Sequence, residues 1–578
     1  MRVFWISLGA AIVALILVFG IVVGLVARKM DVKSKIQDHS WLHIDLYGSL
    51  PEYDPPSGLA GALTGGDTQT LQSVLTNLEM AANDERIDGV VLQLSASNDA
   101  GRGKLEEIRR GVARVQAAGK PVLAFADYID LKVLYTAAAC DSFFCPPSGY
   151  ITIVGLDASH PHIKQALKKL GIEPHLSTIK DYKSAAQIIT RDDLTPEAIA
   201  NKEWMLDEFM DLYLEGLTEG RGIDAGGLDA IMTRAEFLPS EALSIGLVDG
   251  VLYWDELSAR FQQKNDETPR VVSGSRYAKE DPEDFDLGGK KKIAVIHAQG
   301  TIGGRTNGVN PLLGVMMGHE TINAELKRAL EDEDVVAIVL RIDSGGGESL
   351  ASDLMGHMVE VVGREKPVVV SMVDVAASGG YSMAYRANWI VADNMTVTGS
   401  IGSISGKFDM SEMYDKLGIE FSHVTRGPNA RLMGEDRGFT DEEFRRFEER
   451  HNASFHVWVE GIAEYRNMTV EKVESLGQGR VWTGRQAVVN GLTDEVGGYW
   501  EAVAAARRLA EIPADTKTGL WHLPEKQDLV ATLLKGDAEA LSLAGRWLVY
   551  RSVREDVGLV GQSLEGGAWQ TIAPGYLD

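Results

Sequence analysis

The chain has 578 residues, of which 45% are hydrophobic and 24% charged, and its formal net charge is −26. That length makes roughly three or four domain-sized units with ample apolar material for buried cores. The acidic balance argues against a nucleic-acid partner, because phosphate binding needs a basic surface.

From Val3 to Ala27 there is no charged residue. At about 1.5 Å per residue this run is long enough to cross a bilayer core of about 30 Å. A signal-peptide apolar core is shorter, about 7–15 residues. No small-x-small cleavage site follows before Arg28-Lys29. An uncleaved single transmembrane helix is therefore expected, within an anchor and juxtamembrane segment over 1–36. Flanking charge (Arg2 against Arg28, Lys29, Lys33 and Lys35) would put the large C-terminal part in the cytoplasm, a weak rule for long translocated domains. Cys140 and Cys145 have no metal-ligand spacing around them. A short bridge between them is one option in an oxidising compartment, and two buried free thiols is the favoured reading.

The rest of the chain is an internal repeat. Lys169-Leu170-Gly171-Ile172-Glu173 recurs as Lys416-Leu417-Gly418-Ile419-Glu420, and Pro121-Val122-Leu123 matches Pro367-Val368-Val369. Gly246-Leu247-Val248-Asp249 matches Gly491-Leu492-Thr493-Asp494, each followed by a Tyr-Trp pair. The offsets stay between 245 and 248, which means two copies of one domain. The first is placed at 37–261 and the second at 293–512. A polar, Gly- and charge-rich linker fills 262–292. An extension over 513–578 has no counterpart in the first copy, and its stretch 529–550 reads as amphipathic.

In the second copy, 292–298 reads as a strand, 320–330 as a helix, 335–342 as a strand and 350–362 as a helix. A strand over 368–373, a helix over 380–387 and a strand over 389–392 follow. Strands that alternate with helices at this spacing, and are apolar on both faces, predict βαβ units and a mostly parallel sheet: an α/β fold in each copy.

The two copies differ where chemistry is possible. Ser378-Gly379-Gly380-Tyr381 begins a helix after a strand, and the first copy has Lys132-Val133-Leu134-Tyr135 there. Such a turn suits a nucleophile whose following N–H, that of Gly379, faces an oxyanion. Asp343-Ser344-Gly345-Gly346-Gly347 follows the preceding strand, and its first-copy equivalent has no glycine. Both clusters lie at strand C-termini, where open α/β sheets bind ligands. Lys183, in Tyr182-Lys183-Ser184-Ala185, has Ala430 as its second-copy equivalent. Each copy thus keeps one member of a Ser/Lys pair and lacks the other. A lysine acting as base must be neutral; its ordinary pKa is about 10.4 and desolvation lowers it.

These motifs resemble the long, protease IV form of the signal peptide peptidase A family over roughly 40–510 plus the anchor. The resemblance rests on ASGGY around Ser378, TGSIG around Ser400, YKSA around Lys183 and VWTG with GL-x-D near 490. It implies two tandem crotonase-like, Clp protease-like domains. It also implies Ser378 as nucleophile, Lys183 as general base, Ser400 as orienter of that lysine, and Gly379 and Gly346 as oxyanion donors, with no metal or cofactor. The implied setting is a homotetramer on the periplasmic side of a bacterial inner membrane, cutting cleaved signal peptides and similar apolar peptides. Gly345 departs from the proline usual before the glycine pair. Two alternatives stay open at this point: a crotonase-type acyl-CoA enzyme, which would bring carboxylates to the reacting centre, and an inactive membrane scaffold.

Overall fold

Runs such as Val90-Val91-Leu92 and Val339-Leu340 are apolar on both faces, so a strand made from them needs cover on both sides. The computed structural model describes residues 36–53, 69–261, 270–285, 287–310, 313–513 and 515–525. Besides a small three-stranded sheet of Tyr128–Ile129, Tyr150–Thr152 and Glu236–Phe237, the strands of the first copy are β1 (Ser40–Leu46), β2 (Ile87–Leu94), β3 (Val122–Ala126), β4 (Ser142–Cys145), β5 (Glu173–Ile179), β6 (Gly250–Val251) and β7 (Val271–Ser273). All but β5 form one parallel sheet in the order β7-β1-β2-β3-β4-β6. Helix α1 (Leu71–Asn83) and helix α2 (Arg102–Ala117) make the crossovers that parallel neighbours require.

The second copy repeats the plan with β8 (Lys291–Gln299), β9 (Val335–Ser344), β10 (Val368–Ala377), β11 (Trp389–Ala392), β12 (Val397–Gly399), β13 (Ser403–Asp409), β14 (Val481–Thr483), β15 (Glu495–Val496) and β16 (Thr518–Leu523). Its parallel spine runs β16-β8-β9-β10-β11-β15, the same order of equivalent strands as in the first copy. Strand β10 runs four residues past the expected Val373, because Val375–Ala377 leave β11 and pair with β12 instead. That switch delivers Ser378 directly from the end of a strand.

Two expectations are corrected. Residues 271–273, expected in a linker, are a strand of the first sheet: Val271 lies opposite Trp41 and Val272 opposite Leu42. The following Tyr277 and Phe285 are buried, so this polar stretch hides four anchoring apolar side chains. The segment after Pro513, expected to lack a counterpart, contains β16, which joins the edge of β8 as β7 joins β1. The two strands start 247 positions apart, the offset of the repeat itself. The amphipathic stretch 529–550 and the apolar segment 3–27 lie outside the described residues. Among the described residues, no helix is long and apolar enough to cross a membrane. Cys140 and Cys145 are free and buried.

Alternation along the second sheet divides its side chains between two cores. Ile296, Leu340, Val370 and Ile390 face helices of their own unit. Ile293, Val339, Val369 and Val391 share a core with Leu105, Ile108, Val112 and Val115 of α2, so a first-copy helix covers a second-copy sheet. Charges are buried along this seam. Arg341, fully enclosed, donates to Glu52 at 2.8 Å, Glu107 at 2.9 Å and Ser371 Oγ at 2.9 Å. Burial pushes Glu107 up to about 7, against the pull of Arg341.

Removing one partner of such a group leaves the others buried and unpaired, which costs about 3–5 kcal/mol. Arg341→Ala should therefore lower the unfolding free energy measured by chemical denaturation by that much at pH 8. Glu107 has a folded-state pKa above its ordinary value, so the stability it contributes is complete at low pH and lost as pH rises through about 7. Acidifying from pH 8 to pH 6 should then narrow the gap between variant and wild type. A gap that widens on acidification would contradict the assigned burial.

Candidate active site

Strand β5 does not belong to its own sheet. It pairs antiparallel with β13 of the other copy over seven residues, from Glu173 opposite Asp409 to Ile179 opposite Ser403. His451, on helix α3 (Asp441–Tyr465), bridges this ribbon: Nδ1 lies 3.0 Å from Ser177 Oγ on one strand, and Nε2 2.8 Å from Ser403 Oγ on the other. The chain leaving β5 turns through Lys180, at φ 82°, and reaches Lys183. The turn is fastened to the second copy by the Tyr182 N–H on the Gln478 carbonyl at 2.9 Å, and Arg480 stacks its guanidinium on the Tyr182 ring.

The structure brings Lys183, Ser378 and Ser400 together. Lys183 Nζ lies 3.0 Å from Ser378 Oγ, 2.8 Å from Ser400 Oγ and 3.3 Å from the Ser400 carbonyl, and the lysine is only 4% exposed. The amine is thus held out of water among two hydroxyl oxygens and a carbonyl oxygen.

Ser378 sits at φ 53°, ψ −116°, immediately before the short helix Gly379–Ala384. Ser400 sits at φ 52°. A non-glycine residue in such a region costs about 1–3 kcal/mol and persists only when its surroundings over-determine it. Here they do. The Ser378 N–H donates to the Gly399 carbonyl at 2.9 Å, the Ser400 N–H donates to the Arg480 carbonyl at 2.8 Å, and buried Tyr381 anchors the helix by its hydroxyl on the Leu492 carbonyl at 3.0 Å. A Cβ at Gly379 would stand 2.5 Å from Ser352 Oγ, so the turn closes only on glycine.

The glycine loop differs in one respect from the sequence expectation. The Gly346 N–H, expected to face an oxyanion, donates to Ser344 Oγ at 3.1 Å, and Ser344 Oγ in turn donates to the Gly300 carbonyl at 2.6 Å. Gly346 serves the loop's own shape, at φ 111°, with its carbonyl taking the Ile302 N–H at 2.8 Å. The Gly347 N–H has no acceptor among the described residues and lies 3.1 Å from where a Gly379 Cβ would be. The Gly347 N–H, rather than that of Gly346, is thus the one left open beside the Ser378 turn among the described residues. The second glycine of a Gly-Gly pair after a strand carries no sequence mark that separates it from the first.

Sequence reasoning also passed over two supports. Lys104, on α2 of the first copy, lies 3.4 Å from Asp343 and 3.5 Å from Asp374, the carboxylates at the roots of the two catalytic turns. Burial pushes Asp343 up to about 6, with Lys104 opposing. Gly479, at φ 75°, passes under the lysine: a Cβ there would stand 2.4 Å from the Lys183 N and 2.7 Å from its Cβ.

Two stretches, 114–267 and 360–513, match the model of Peptidase family S49. The chain belongs to this family. The matched stretches begin and end 246 residues apart, so each copy is one S49 domain. Among relatives, the chain is 34% identical to the chloroplastic serine protease SPPA of Arabidopsis thaliana, over 81% of this chain and 70% of that one. It is 30% identical to Protease 4 of Haemophilus influenzae, over 82% and 79%. With Protease 4 of Salmonella typhi the identity is 28%, over 84% and 80%. This S49 protein is a serine protease, which answers both the acyl-CoA and the inactive-scaffold alternatives.

Misplacing a catalytic group by about 1 Å can cost about 100-fold in rate. Gly479→Ala should therefore slow labelling by a serine-directed fluorophosphonate about 100-fold, while the melting temperature moves by a few degrees. Labelling at the wild-type rate would show that Gly479 does not seat Lys183.

Proposed function

We propose that the protein is a membrane-bound endopeptidase with a Ser378–Lys183 dyad, acting on signal peptides and similar apolar peptides after their release from preproteins. The carrying observation is the 3.0 Å approach of a buried lysine amine to a serine hydroxyl on a strained turn. Neutral Lys183 takes the Ser378 proton as Oγ attacks the peptide carbonyl carbon. The N–H groups of Gly379 and Gly347 receive the oxyanion. As the C–N bond breaks, the lysinium returns its proton to the leaving amine. Water, deprotonated by the same lysine, then cleaves the acyl ester. Ser400 holds Nζ in line throughout, from 2.8 Å. The chemistry needs no metal.

The apolar run 3–27 is the proposed single-pass anchor in a bacterial inner membrane, with the catalytic part on the periplasmic side; its 25 uncharged residues support this. A homo-oligomer, a tetramer by family resemblance, is part of the same reading. Substrates presented beside a membrane would be apolar segments already freed from their proteins.

Ser378→Ala should abolish hydrolysis of a quenched-fluorescence apolar peptide, since loss of a nucleophile costs about 10⁶ in rate. Residual activity above about 1% would point to another nucleophile. Lys183→Arg should be nearly as damaging as Lys183→Ala, because arginine stays protonated. A surface lysine would instead leave the arginine variant near full activity. The wild-type rate should climb with pH as Lys183 gives up its proton, and a falling profile would remove the lysine from the base role. Deleting residues 1–35 should release an active enzyme from membranes; a mature N-terminus beyond residue 28 would refute the anchor.

A further inference from the structure

The two catalytic turns rest on a break in the second sheet. Strands β9 and β10 pair regularly up to Ile342 opposite Met372, and pair again at Ser344 opposite Ala376. Between these points one residue of β9, Asp343, faces residues 373–375 of β10. The ladder is open there, just before the glycine loop 345–347 on one strand and Ser378 on the other. The N-terminus of α2, from the first copy, fills the opening. The Asp374 carboxylate accepts from the Gly101 N–H at 3.2 Å and from the Lys104 N–H at 3.0 Å, so a second-copy side chain caps a first-copy helix. A Cβ at Gly103 would stand 2.4 Å from the Val373 carbonyl oxygen, so only glycine lets the helix come this close.

Lys104 closes the gap and is 8% exposed. Its ammonium reaches the Leu50 carbonyl at 3.2 Å, Asp343 at 3.4 Å and Asp374 at 3.5 Å, one partner for each of its three protons. Asp343 in turn accepts from the Val375 N–H at 3.3 Å, tying β9 to β10 across the break. The repeat assigns this cluster to the catalytic joint. Lys104 is the third residue of α2, and the third residue of the matching helix Ser349–Gly363 is Ala351. Asp343 and Asp374 correspond to Ser95 and Tyr128 of the first copy. The cation is kept in one copy and the carboxylates in the other, the same division as that of Lys183 and Ser378. A cluster that served the domain fold alone has no reason to divide this way.

We propose that Lys104 is a positioning residue for the peptidase reaction: by clamping Asp343 and Asp374 it sets the spacing between the glycine loop and the Ser378 turn. That spacing aligns the N–H groups of Gly347 and Gly379 with the nucleophile. The inference rests on the Ser378–Lys183 reading above. Lys104 acts through the two carboxylates, which without it face each other beside Glu52 and Asp99. Burial already pushes the Asp343 carboxyl up to about 6 while Lys104 pulls it down, so losing the lysine raises it further. Below that raised value the protonated carboxyl donates to Asp374 and keeps the turns together. Above it the two carboxylates repel and the turns spread.

The test is Lys104→Met in the full chain, purified in detergent, which keeps the stem and removes the charge. Rates are taken per active site, counted by fluorophosphonate labelling carried to completion. Hydrolysis of the quenched-fluorescence apolar peptide should fall about 100-fold in kcat, with KM within about twofold. The ratio of wild-type to variant kcat should widen from pH 6 to pH 9; the titration of Lys183, shared by both enzymes, cancels in it. Lys104→Arg keeps the cation and should recover most of the rate. A wild-type kcat per site in Lys104→Met, a loss confined to KM, or a ratio that does not change with pH would overturn the proposal. If Lys104→Met yields no labelled sites, Asp374→Asn decides, since it keeps an acceptor for the helix and loses the charge. It should lower kcat about tenfold, and a wild-type kcat there would overturn the proposal. Wild-type protein that leaves the peptide uncut would instead sink the dyad reading, and this inference with it.

Discussion

The site depends on one pairing: seven residues of β5 against seven of β13, a strand from each half of the chain. Without it, the loop carrying Lys183 would keep only the contacts of its own turn, such as the Tyr182 N–H on the Gln478 carbonyl, to the second copy. The ribbon converts a surface lysine into one that is 4% exposed with hydroxyls at 2.8 and 3.0 Å. The backbone ladder, the His451 bridge across the two strands and the Arg480–Tyr182 stack fasten the segment that carries the buried amine.

A ribbon alone would leave the halves hinged. The shared core of α2 with the second sheet and the buried charges along that seam remove the hinge. Charges so placed add little net stability, but they tolerate little displacement, because any shift strands a carboxylate in a dry interior. Lys104 carries this rigidity to the chemistry. It bridges Asp343 and Asp374, so a helix of the first copy holds the bases of both glycine turns in the second. The strained backbone at Ser378 and Ser400 is tolerable for the same reason: the neighbouring strands and carbonyls leave it no relaxed alternative.

Duplication accounts for the division of labour. A chain with one joint between its two copies needs only one catalytic centre there. Ser378 and its glycines survive in one copy and Lys183 in the other, while the exchanged positions hold Lys132 and Ala430. The equal spacing of the two family matches and the identical order of equivalent strands show how little the scaffold changed while the site specialised.

The sequence by itself determined the repeat and the parallel α/β plan, and it singled out Ser378 and Lys183. Those features are local or periodic: short runs apolar on both faces that alternate with helical stretches, glycines after strands, and a residue present in one copy and missing in the other. It concealed β7 and β16, because a strand of three to six residues in a polar stretch has too few apolar positions to show a period. It pointed to the Gly346 N–H, which the structure gives to Ser344 Oγ reaching back along the loop. Only the tertiary structure decided that Lys183 and Ser378, 195 residues apart, share a hydrogen-bond distance. That proximity comes from a ladder between strands of different copies, and backbone pairing leaves no pattern in the side chains that would announce its partner.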